Sequence, residues 1–333
     1  MKPLKILVVN LLIFGVLFAA VEGVLRWQAP DYAYYYQTHP AQPDLVEVLA
    51  RCTATWPRPD ADLGWTIRPQ ETLDFPSPPR TGVRYDINAE GFRMPFDLTD
   101  SIAEEKRRVL LLGDSFLFGI YLNEAATVTA QLRDTLGEEF VFYPIAVPAW
   151  GLDQMYLAYQ KYVDVIRPDQ VILTFIDDDL MRSLEILYHG VGRKPRLKIA
   201  DGQLVPNHDN PARWETICWN NQIGNRLLRA HHERRAAELG AFMLRDIAQR
   251  ERAAGRTLSV VRIPARVDLD AGEARPIFDL GEAVTAQGGQ YRALFEPFSR
   301  EDYADYYIPD DGHFTEAGVE RLVEELIPVL SSH

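Results

Sequence analysis

A serine in the middle of the chain has the local sequence of a candidate nucleophile. The apolar residues 109–112 predict a short buried strand, and Gly113-Asp114-Ser115 then ends that strand in a turn. In an open α/β sheet, this turn places the Ser115 hydroxyl at the carboxyl edge, where such sheets bind ligands. A serine in that position can attack a substrate if a base lies within reach. The alternative is a turn whose Asp and Ser only cap the next helix.

One of the seven histidines is placed to serve as the base. His313 follows two carboxylates, Asp310 and Asp311, and Thr315 just after it is a suitable N-cap for a last helix. A loop histidine before the last helix of an α/β sheet lies at the same edge as the serine. The two residues are therefore expected to meet, although 198 positions separate them.

Strands and helices alternate around these residues. Strands are predicted at 109–112, 140–146, 170–175 and 258–263, with a weak last strand at 291–295. Helices are predicted at 127–136, 152–166, 221–253 and 315–330. Such alternation is typical of a parallel sheet with helices on both faces.

The amino terminus has the composition of a membrane anchor. Residues 6–25 form an apolar run interrupted only by Asn10 and Glu22, which is long enough for a helix to cross a bilayer. Lys2 and Lys5 precede the run, so the positive-inside rule places the amino terminus in the cytoplasm and the rest beyond the membrane. A cleaved signal peptide is the alternative, but Phe18 occupies a cleavage-site position that requires a small residue.

Composition excludes several other classes of protein. The 333 residues carry a net charge of −13 spread along the chain, which argues against a nucleic-acid partner. No glycine-rich phosphate loop and no His/Cys zinc pattern is present, so we expect neither a cofactor nor a metal. The two cysteines, Cys52 and Cys218, could pair in an oxidising compartment.

The predicted organisation has three parts. Residues 1–26 form the anchor, residues 27–100 a linker with a small β-rich segment, and residues 101–333 the main domain. The β-rich segment is expected to form hairpin strands within residues 62–95, with short β-like runs at 62–65, 83–88 and 91–93. An insertion at 181–218 interrupts the α/β alternation and contains a predicted hairpin with an Asp201-Gly202 turn.

These motifs together resemble the SGNH/GDSL hydrolases, over about residues 107–330. The resemblance rests on Gly113-Asp114-Ser115 after the first core strand and Asp311-Gly312-His313 before the last helix. Segments 147–154 and 167–173 resemble later blocks of the family, and segments 63–65 and 88–93 resemble a subgroup with an N-terminal membrane anchor. The resemblance implies a flavodoxin-like three-layer α/β/α (SGNH) domain with a parallel sheet, and acyl-ester chemistry.

The resemblance also implies roles for individual residues. Ser115 would be the nucleophile, with its backbone N–H as one donor to the oxyanion, and His313 would be the base. The family's acid lies two or three residues before the histidine, so Asp311 or Asp310 would orient the imidazole. The Asp-x-His spacing of related anchored proteins favours Asp311.

Two positions depart from the family's pattern. Ala149 occupies the place of a glycine that presents its N–H to the oxyanion; it fits if its φ is negative, and Gly151 is the nearby alternative. Asp178 occupies the place of an asparagine whose amide would donate to the oxyanion. Either Asp178 is protonated or another donor fills that place; alternatively, Asp177-Asp178-Asp179 is simply an acidic turn.

The expected protein is a single-pass protein of a bacterial inner membrane with its catalytic domain in the periplasm. Its reaction would be serine-mediated acyl transfer from a small acyl ester or an acylated carbohydrate of the cell envelope, either to water or to a sugar hydroxyl. The alternative is a catalytically weak relative that binds glycan or a membrane partner through the 181–218 insertion. The oligomeric state stays open.

Overall fold

The computed structural model describes residues 2–28, 57–69, 83–100, 105–185, 187–188, 192–209, 222–270, 280–309 and 311–331. Both cysteines and Asp310 lie outside these ranges, so the predicted disulfide and the alternative acid fall on residues that the structure does not describe. The strands are β1 (Pro57–Asp60), β2 (Gly64–Ile67), β3 (Arg107–Gly113), β4 (Phe140–Ala146), β5 (Gln170–Phe175), β6 (Leu187–Tyr188), β7 (Gly192–Arg193), β8 (Leu197–Ala200), β9 (Gln203–Pro206), β10 (Thr257–Arg262) and β11 (Gln290–Ala293). The α-helices are α1 (Lys2–Gln28), α2 (Ser115–Phe118), α3 (Val128–Leu136), α4 (Leu152–Ile166), α5 (Asp177–Arg182), α6 (Gln222–Ala253), α7 (Arg266–Asp270), α8 (Gly281–Thr285), α9 (Phe295–Phe298) and α10 (Glu316–Ser331).

Five strands form one parallel sheet in the order β11-β10-β5-β3-β4. In chain order this is 2-1-3-4-5, the flavodoxin-like arrangement, so the predicted fold class is confirmed. The apolar residues of β3 and β5 are fully buried, as central strands covered on both faces require. The strand order reverses between β3 and β5, which places the ligand-binding crevice of such a sheet at their carboxyl ends.

Helices cover both faces of the sheet. The helices α3 and α10 pack against each other on one face, while α4, α6 and α8 pack together on the other. Thr315 caps α10 as predicted, since its hydroxyl accepts a hydrogen bond from the Gly318 N–H at 3.3 Å. The result is three layers, with the loops at the carboxyl edge left accessible to a ligand.

The segment before the first core strand packs into the same hydrophobic core as the sheet. Trp65 in β2 is fully buried, together with Tyr85 and Phe92. The prediction of a strand at 83–88 is wrong, because only Ile87 forms a bridge, with Arg93. The Asn88 side chain accepts hydrogen bonds from two backbone N–H groups, at Gly91 and Phe92, and so closes a turn where the apolar alternation predicts a strand.

The insertion contains the predicted hairpin. Strands β8 and β9 pair antiparallel around Asp201 and Gly202, whose φ values are 51° and 72°. Positive φ at both central residues defines the type I′ turn that an Asp-Gly pair favours.

The amino-terminal helix α1 is long and apolar enough to cross a membrane over Lys5–Trp27, and this stretch is not buried against the rest of the chain. Its one carboxylate, Glu22, accepts a hydrogen bond from Arg26 one turn later at 2.8 Å.

At the other side of the sheet, β4 is an edge strand, and it contains Pro144 opposite Leu111 of β3. An edge strand is the position in a sheet that tolerates a residue without an N–H.

Candidate active site

The turn after β3 places Ser115 at the first position of the short helix α2. Asp114 caps this helix by accepting a hydrogen bond from the Phe116 N–H at 3.0 Å. Gly113 permits the turn, because a Cβ at this position would lie 2.7 Å from Leu117 Cβ and Thr174 Oγ1. Ser115 is largely buried at the base of the carboxyl edge, with 5% of its surface exposed.

The structure brings His313 and Asp311 to this serine. His313 Nε2 lies 2.8 Å from Ser115 Oγ, and His313 Nδ1 is hydrogen-bonded to Asp311 Oδ1. If Nδ1 carries the proton that it shares with Asp311, Nε2 is free to accept the proton of the serine hydroxyl. Asp311, one of the two carboxylates that the resemblance left open, is therefore in contact with the imidazole.

Tyr121 is a further partner of the Asp311 carboxylate. Burial raises the pKa of Asp311, but hydrogen bonds from His313 and Tyr121 together outweigh it, and the net pKa is below its ordinary value. Asp311 is accordingly ionised at neutral pH and able to hold the imidazole. The Tyr121 ring also meets the His313 ring edge-on, with 5.9 Å between ring centroids.

The loop that carries Tyr121 is held by the segment before the first core strand. Tyr121 has a φ of 66°, a strained value for a residue other than glycine, and its N–H donates to Tyr85 Oη at 2.8 Å. The buried Arg93 guanidinium donates to the carbonyls of Phe118, Gly119 and Leu122, at 3.1, 2.9 and 2.9 Å. The segment before the first core strand therefore positions Tyr121, which contacts the Ser–His–Asp arrangement.

Arg182 connects three loops around Ser115. Its guanidinium is ion-paired with Asp179, lies 3.6 Å from Asp114 Oδ2 and donates to the Trp150 carbonyl at 3.4 Å. Burial and the neighbouring Asp114 carboxylate raise the pKa of Asp179 well above its ordinary value, while Arg182 opposes that shift. The cation thus lies between two buried carboxylates next to the serine and offsets one unit of their negative charge.

Ala149, the predicted oxyanion donor, does not have the expected negative φ: its φ is 67°. Two tryptophans hold this turn, since the Trp65 indole donates to the Pro148 carbonyl at 3.3 Å and the Trp150 indole donates to the Trp65 carbonyl at 3.0 Å. Surrounding contacts of this kind maintain a strained backbone. The Gly151 N–H donates instead to the Gln154 side chain at 3.1 Å, so it is already engaged within the start of α4.

The three consecutive aspartates have different surroundings. Asp177 pairs with both guanidinium nitrogens of Arg262 at 2.7 Å, and Asp179 accepts a hydrogen bond from the Ile176 N–H at 3.0 Å while pairing with Arg182. Asp178 is half-buried in the first turn of α5, and no described residue gives its carboxylate a hydrogen bond or an ion pair. Two of the three therefore have structural partners, which leaves the one in the asparagine position available to a ligand.

A buried ion pair attaches the 181–218 insertion to the start of α4. Lys194 Nζ contacts both carboxylate oxygens of Asp153 at 2.7 Å, and both residues are buried. Glu185 lies near them and keeps part of its surface exposed. Desolvation of its carboxyl, partly offset by Lys194 and Arg182, raises the pKa of Glu185 to about 7.

Among the residues that the structure describes, no cluster of three His, Cys, Asp or Glu side chains is arranged to hold a metal ion.

Comparison with known proteins gives distant structural similarity. The chain is similar to a lipase/acylhydrolase from Enterococcus faecalis, with 16% identity, 67% of this chain and 96% of that chain covered, and a TM-score of 0.39. It is also similar to a psychrotrophic esterase from Pseudoalteromonas sp. (10% identity, 68% and 97% covered, TM-score 0.43) and to an acetyl xylan esterase (11% identity, 67% and 99% covered, TM-score 0.43). No protein-family model and no curated protein matches the chain.

Because these similarities are distant, the chemistry of the site has to be inferred from the side chains of this chain. The fold and the site define a flavodoxin-like α/β protein with a Ser–His–Asp arrangement at the carboxyl edge of its sheet.

Sequence reasoning missed Tyr121, Arg93 and Arg182 as parts of the site. Arg182 had a signal, because it follows Asp179 at the i, i+3 spacing that pairs charges on a helix. Tyr121 and Arg93 act through contacts between distant segments, which leave no local pattern.

We expect Ala149→Gly to leave stability within about 0.5 kcal/mol of the parent, because relief of the strained φ offsets the greater freedom of glycine in the unfolded chain. Ala237→Gly, in the interior of α6 and similarly half-buried, should cost about 1 kcal/mol. Thermal or denaturant unfolding of both variants measures the difference. Equal losses would contradict the strain at Ala149.

Tyr121→Phe should lower ester turnover and move the acid limb of its pH–rate profile to higher pH. Without the tyrosine hydroxyl, the Asp311 carboxylate interacts more strongly with protonated His313, so the base is lost at higher pH. Tyr303→Phe is the matched control, since that hydroxyl donates to Asp270 on the surface. A lower rate with an unmoved limb would mean that Tyr121 only supports the fold.

The contribution of Glu185 to the free energy of unfolding should fall as pH rises from about 4.5 to about 7, because folded Glu185 retains its proton after the unfolded chain has released it. Glu185→Gln removes this penalty, so the variant should gain on the parent across that window, by about 1–3 kcal/mol. Glu238→Gln, at an exposed site on α6, serves as the control. Denaturant titrations at several pH values test this, and a pH-independent difference would refute it.

Proposed function

We propose that the chain is a serine-dependent acyl-ester hydrolase or acyltransferase of the SGNH type. The observation that carries the proposal is the pair of contacts that joins Asp311 to His313 and His313 to Ser115 at the carboxyl edge of the sheet. This is the geometry that an activated serine nucleophile requires: a base within hydrogen-bond reach, itself oriented by a third group.

In the first step, Ser115 Oγ attacks the acyl carbonyl carbon while its proton passes to His313 Nε2. The tetrahedral intermediate then collapses, the ester C–O bond breaks, and the leaving alcohol takes the proton from His313, which leaves an acyl group on Ser115. In the second step, water or a sugar hydroxyl attacks the acyl carbon and gives its proton to His313. The bond between the acyl carbon and Ser115 Oγ then breaks, the acid or the acylated sugar is released, and His313 returns the proton to Ser115 Oγ. Asp311 stabilises the imidazolium in both steps.

The oxyanion that forms in each step needs hydrogen-bond donors. The backbone N–H groups of Ser115 and Ala149 are the proposed donors. Asp178 holds the place of the third donor, and an ionised carboxylate there would repel the oxyanion. Loss of one such donor lowers the rate by about 10²–10³.

The proposed location is the periplasmic face of a bacterial inner membrane. It is supported by the apolar helix Lys5–Trp27 and by Lys2 and Lys5 at its amino-terminal end. In that compartment, the acyl esters within reach include those of envelope glycan and exopolysaccharide, which we propose as the substrate class.

A fluorophosphonate probe should label the parent and not Ser115→Ala, and the variant should lose hydrolysis of a small acetyl ester by about 10³-fold or more. Ser259→Ala is the matched control. This serine is buried in β10, and its hydroxyl has no hydrogen-bond partner among the described residues, so labelling and turnover should persist. Equal residual rates in the parent and Ser115→Ala, with no label on Ser115, would reject the enzyme.

Asp178→Asn should raise acetyl-ester turnover by about 10²-fold, because an amide supplies the missing donor. Asp178→Ala removes the charge without adding a donor, so its gain should be smaller. Turnover numbers at saturating ester separate the two variants. If Asn and Ala give the same rate, position 178 does not face the oxyanion.

The position of Asp178 also supports a second candidate function. A catalytically weak relative would bind a glycan or a membrane partner through the 181–218 insertion, which the Lys194–Asp153 pair fastens to the domain. This candidate predicts glycan binding that survives Ser115→Ala and an absence of ester turnover in the parent.

A further inference from the structure

The contacts of Gly240 show which part of helix α6 lies beside the carboxyl edge of the sheet. A Cβ at this position would lie 2.4 Å from Leu180 Cδ2 and 3.3 Å from Leu152 Cδ2. Leu180 lies in α5, directly after β5, and Leu152 begins α4, just after the loop that follows β4. Gly240 is therefore level with the carboxyl edge of the sheet, the same edge that carries Ser115 and His313.

The first half of α6 extends beyond that edge. The helix ends at Ala253 and turns through Gly255 into β10, so it runs antiparallel to the strands and its amino-terminal half leads away from the carboxyl edge. At a rise of about 1.5 Å per residue, the stretch from Gln222 to Gly240 projects about 27 Å past the edge.

The far end of this projection is bound to the apolar helix α1. Glu22 accepts hydrogen bonds from the backbone N–H groups of Gln222 at 2.8 Å and Ile223 at 3.1 Å, and so caps α6. Glu22 lies near the carboxyl-terminal end of the stretch Lys5–Trp27 that is long enough to span a bilayer. The apolar helix and the Ser–His–Asp arrangement are consequently on the same side of the sheet.

We infer that the carboxyl edge of the sheet faces the membrane, and that the substrate is an amphiphile of that same bilayer which carries its acyl ester above the headgroups. This inference rests on the proposed membrane anchor and ester chemistry and adds the class of substrate. Such an amphiphile presents its ester to Ser115 while its lipid tail stays in the bilayer, and the body of the domain lies on the far side of the site.

The exposed apolar side chains fit this orientation. Outside α1, the described residues include four large apolar side chains with more than two fifths of their surface exposed. Three lie on the side of the carboxyl edge: Leu227 in the projecting half of α6, Val267 in α7 directly after β10, and Ile199 in the β8–β9 hairpin. Val165, near the carboxyl-terminal end of α4, lies at the opposite edge. Leu227 lies about 8 Å along α6 from its membrane-facing end, close enough to bury in the headgroup boundary.

Val267 and Val165 make a matched pair for measuring the orientation, with 55% and 59% of their surface exposed at opposite edges. The full chain, with Cys52 and Cys218 replaced by serine, would carry a fluorophore on Val267→Cys or Val165→Cys in vesicles of phosphatidylethanolamine and phosphatidylglycerol. An energy-transfer acceptor dye on the lipid headgroup, which acts over a longer range than a contact quencher, should quench the label at 267 several-fold more than the label at 165, because the carboxyl edge lies about 27 Å from the end of α6 and Val165 lies farther away. Equal quenching, or stronger quenching at 165, overturns the inference.

A second measurement needs no variant. A fluorogenic acetyl ester, joined to a dioleoyl lipid by a flexible spacer longer than about 27 Å, is placed either in the vesicles that hold the protein or in separate vesicles, beside a water-soluble acetyl ester. Turnover of the lipid ester should be at least about tenfold faster in the protein's own vesicles. Equal turnover in both kinds of vesicle, with the soluble ester hydrolysed, overturns the membrane-facing site. Protein that does not float with vesicles refutes the anchor, and an inert soluble ester refutes the hydrolase.

Discussion

Loops at the carboxyl edge of a parallel sheet have no strand pairing to hold them, and this constraint governs the whole site. Ser115, His313 and Asp178 each follow a different strand, so their relative positions depend on side chains that connect the loops. Two arginines supply most of these connections: Arg182 contacts groups in three loops, and Arg93 donates to three carbonyls of one loop. A guanidinium suits this role because its five N–H donors lie in one rigid plane. The electrostatic cost of burying these cations is offset by the carboxylates and carbonyls around them.

The part of the fold that the sequence predicted is the part with a local pattern. The core strands are continuous apolar runs, the Asp201-Gly202 hairpin has its own turn chemistry, and the contact between Ser115 and His313 follows from their positions after a strand and before a helix. The strand predicted at 83–88 does not form. The alternation of apolar and polar residues predicts it, but the hydrogen bonds of the Asn88 side chain stabilise a turn instead. Tyr121 could not be predicted, because its role needs the Tyr85 hydroxyl and the Asp311 carboxylate, far away in the chain.

Charge next to the nucleophile is distributed unevenly in a way that bears on its chemistry. Asp114 and Asp179 share Arg182, and Asp177 is paired with Arg262, so each of these three carboxylates lies beside a fixed cation. Asp178 has no such partner among the described residues, although it stands in the first turn of α5, where backbone N–H groups favour an anion. In the proposed reaction, the site would combine a serine and a histidine in direct contact with a carboxyl group, that of Asp178, in the place of an oxyanion donor.

Pro144 in the edge strand β4 has a consequence for the proposed membrane anchoring of the chain. Chains confined to two dimensions meet one another far more often than chains in solution, and an open sheet edge would let one copy add its strand to another. A residue without an N–H interrupts the row of donors that such pairing requires. Pro144 thus hinders pairing of two copies through the β4 edge, even where neighbouring copies lie side by side.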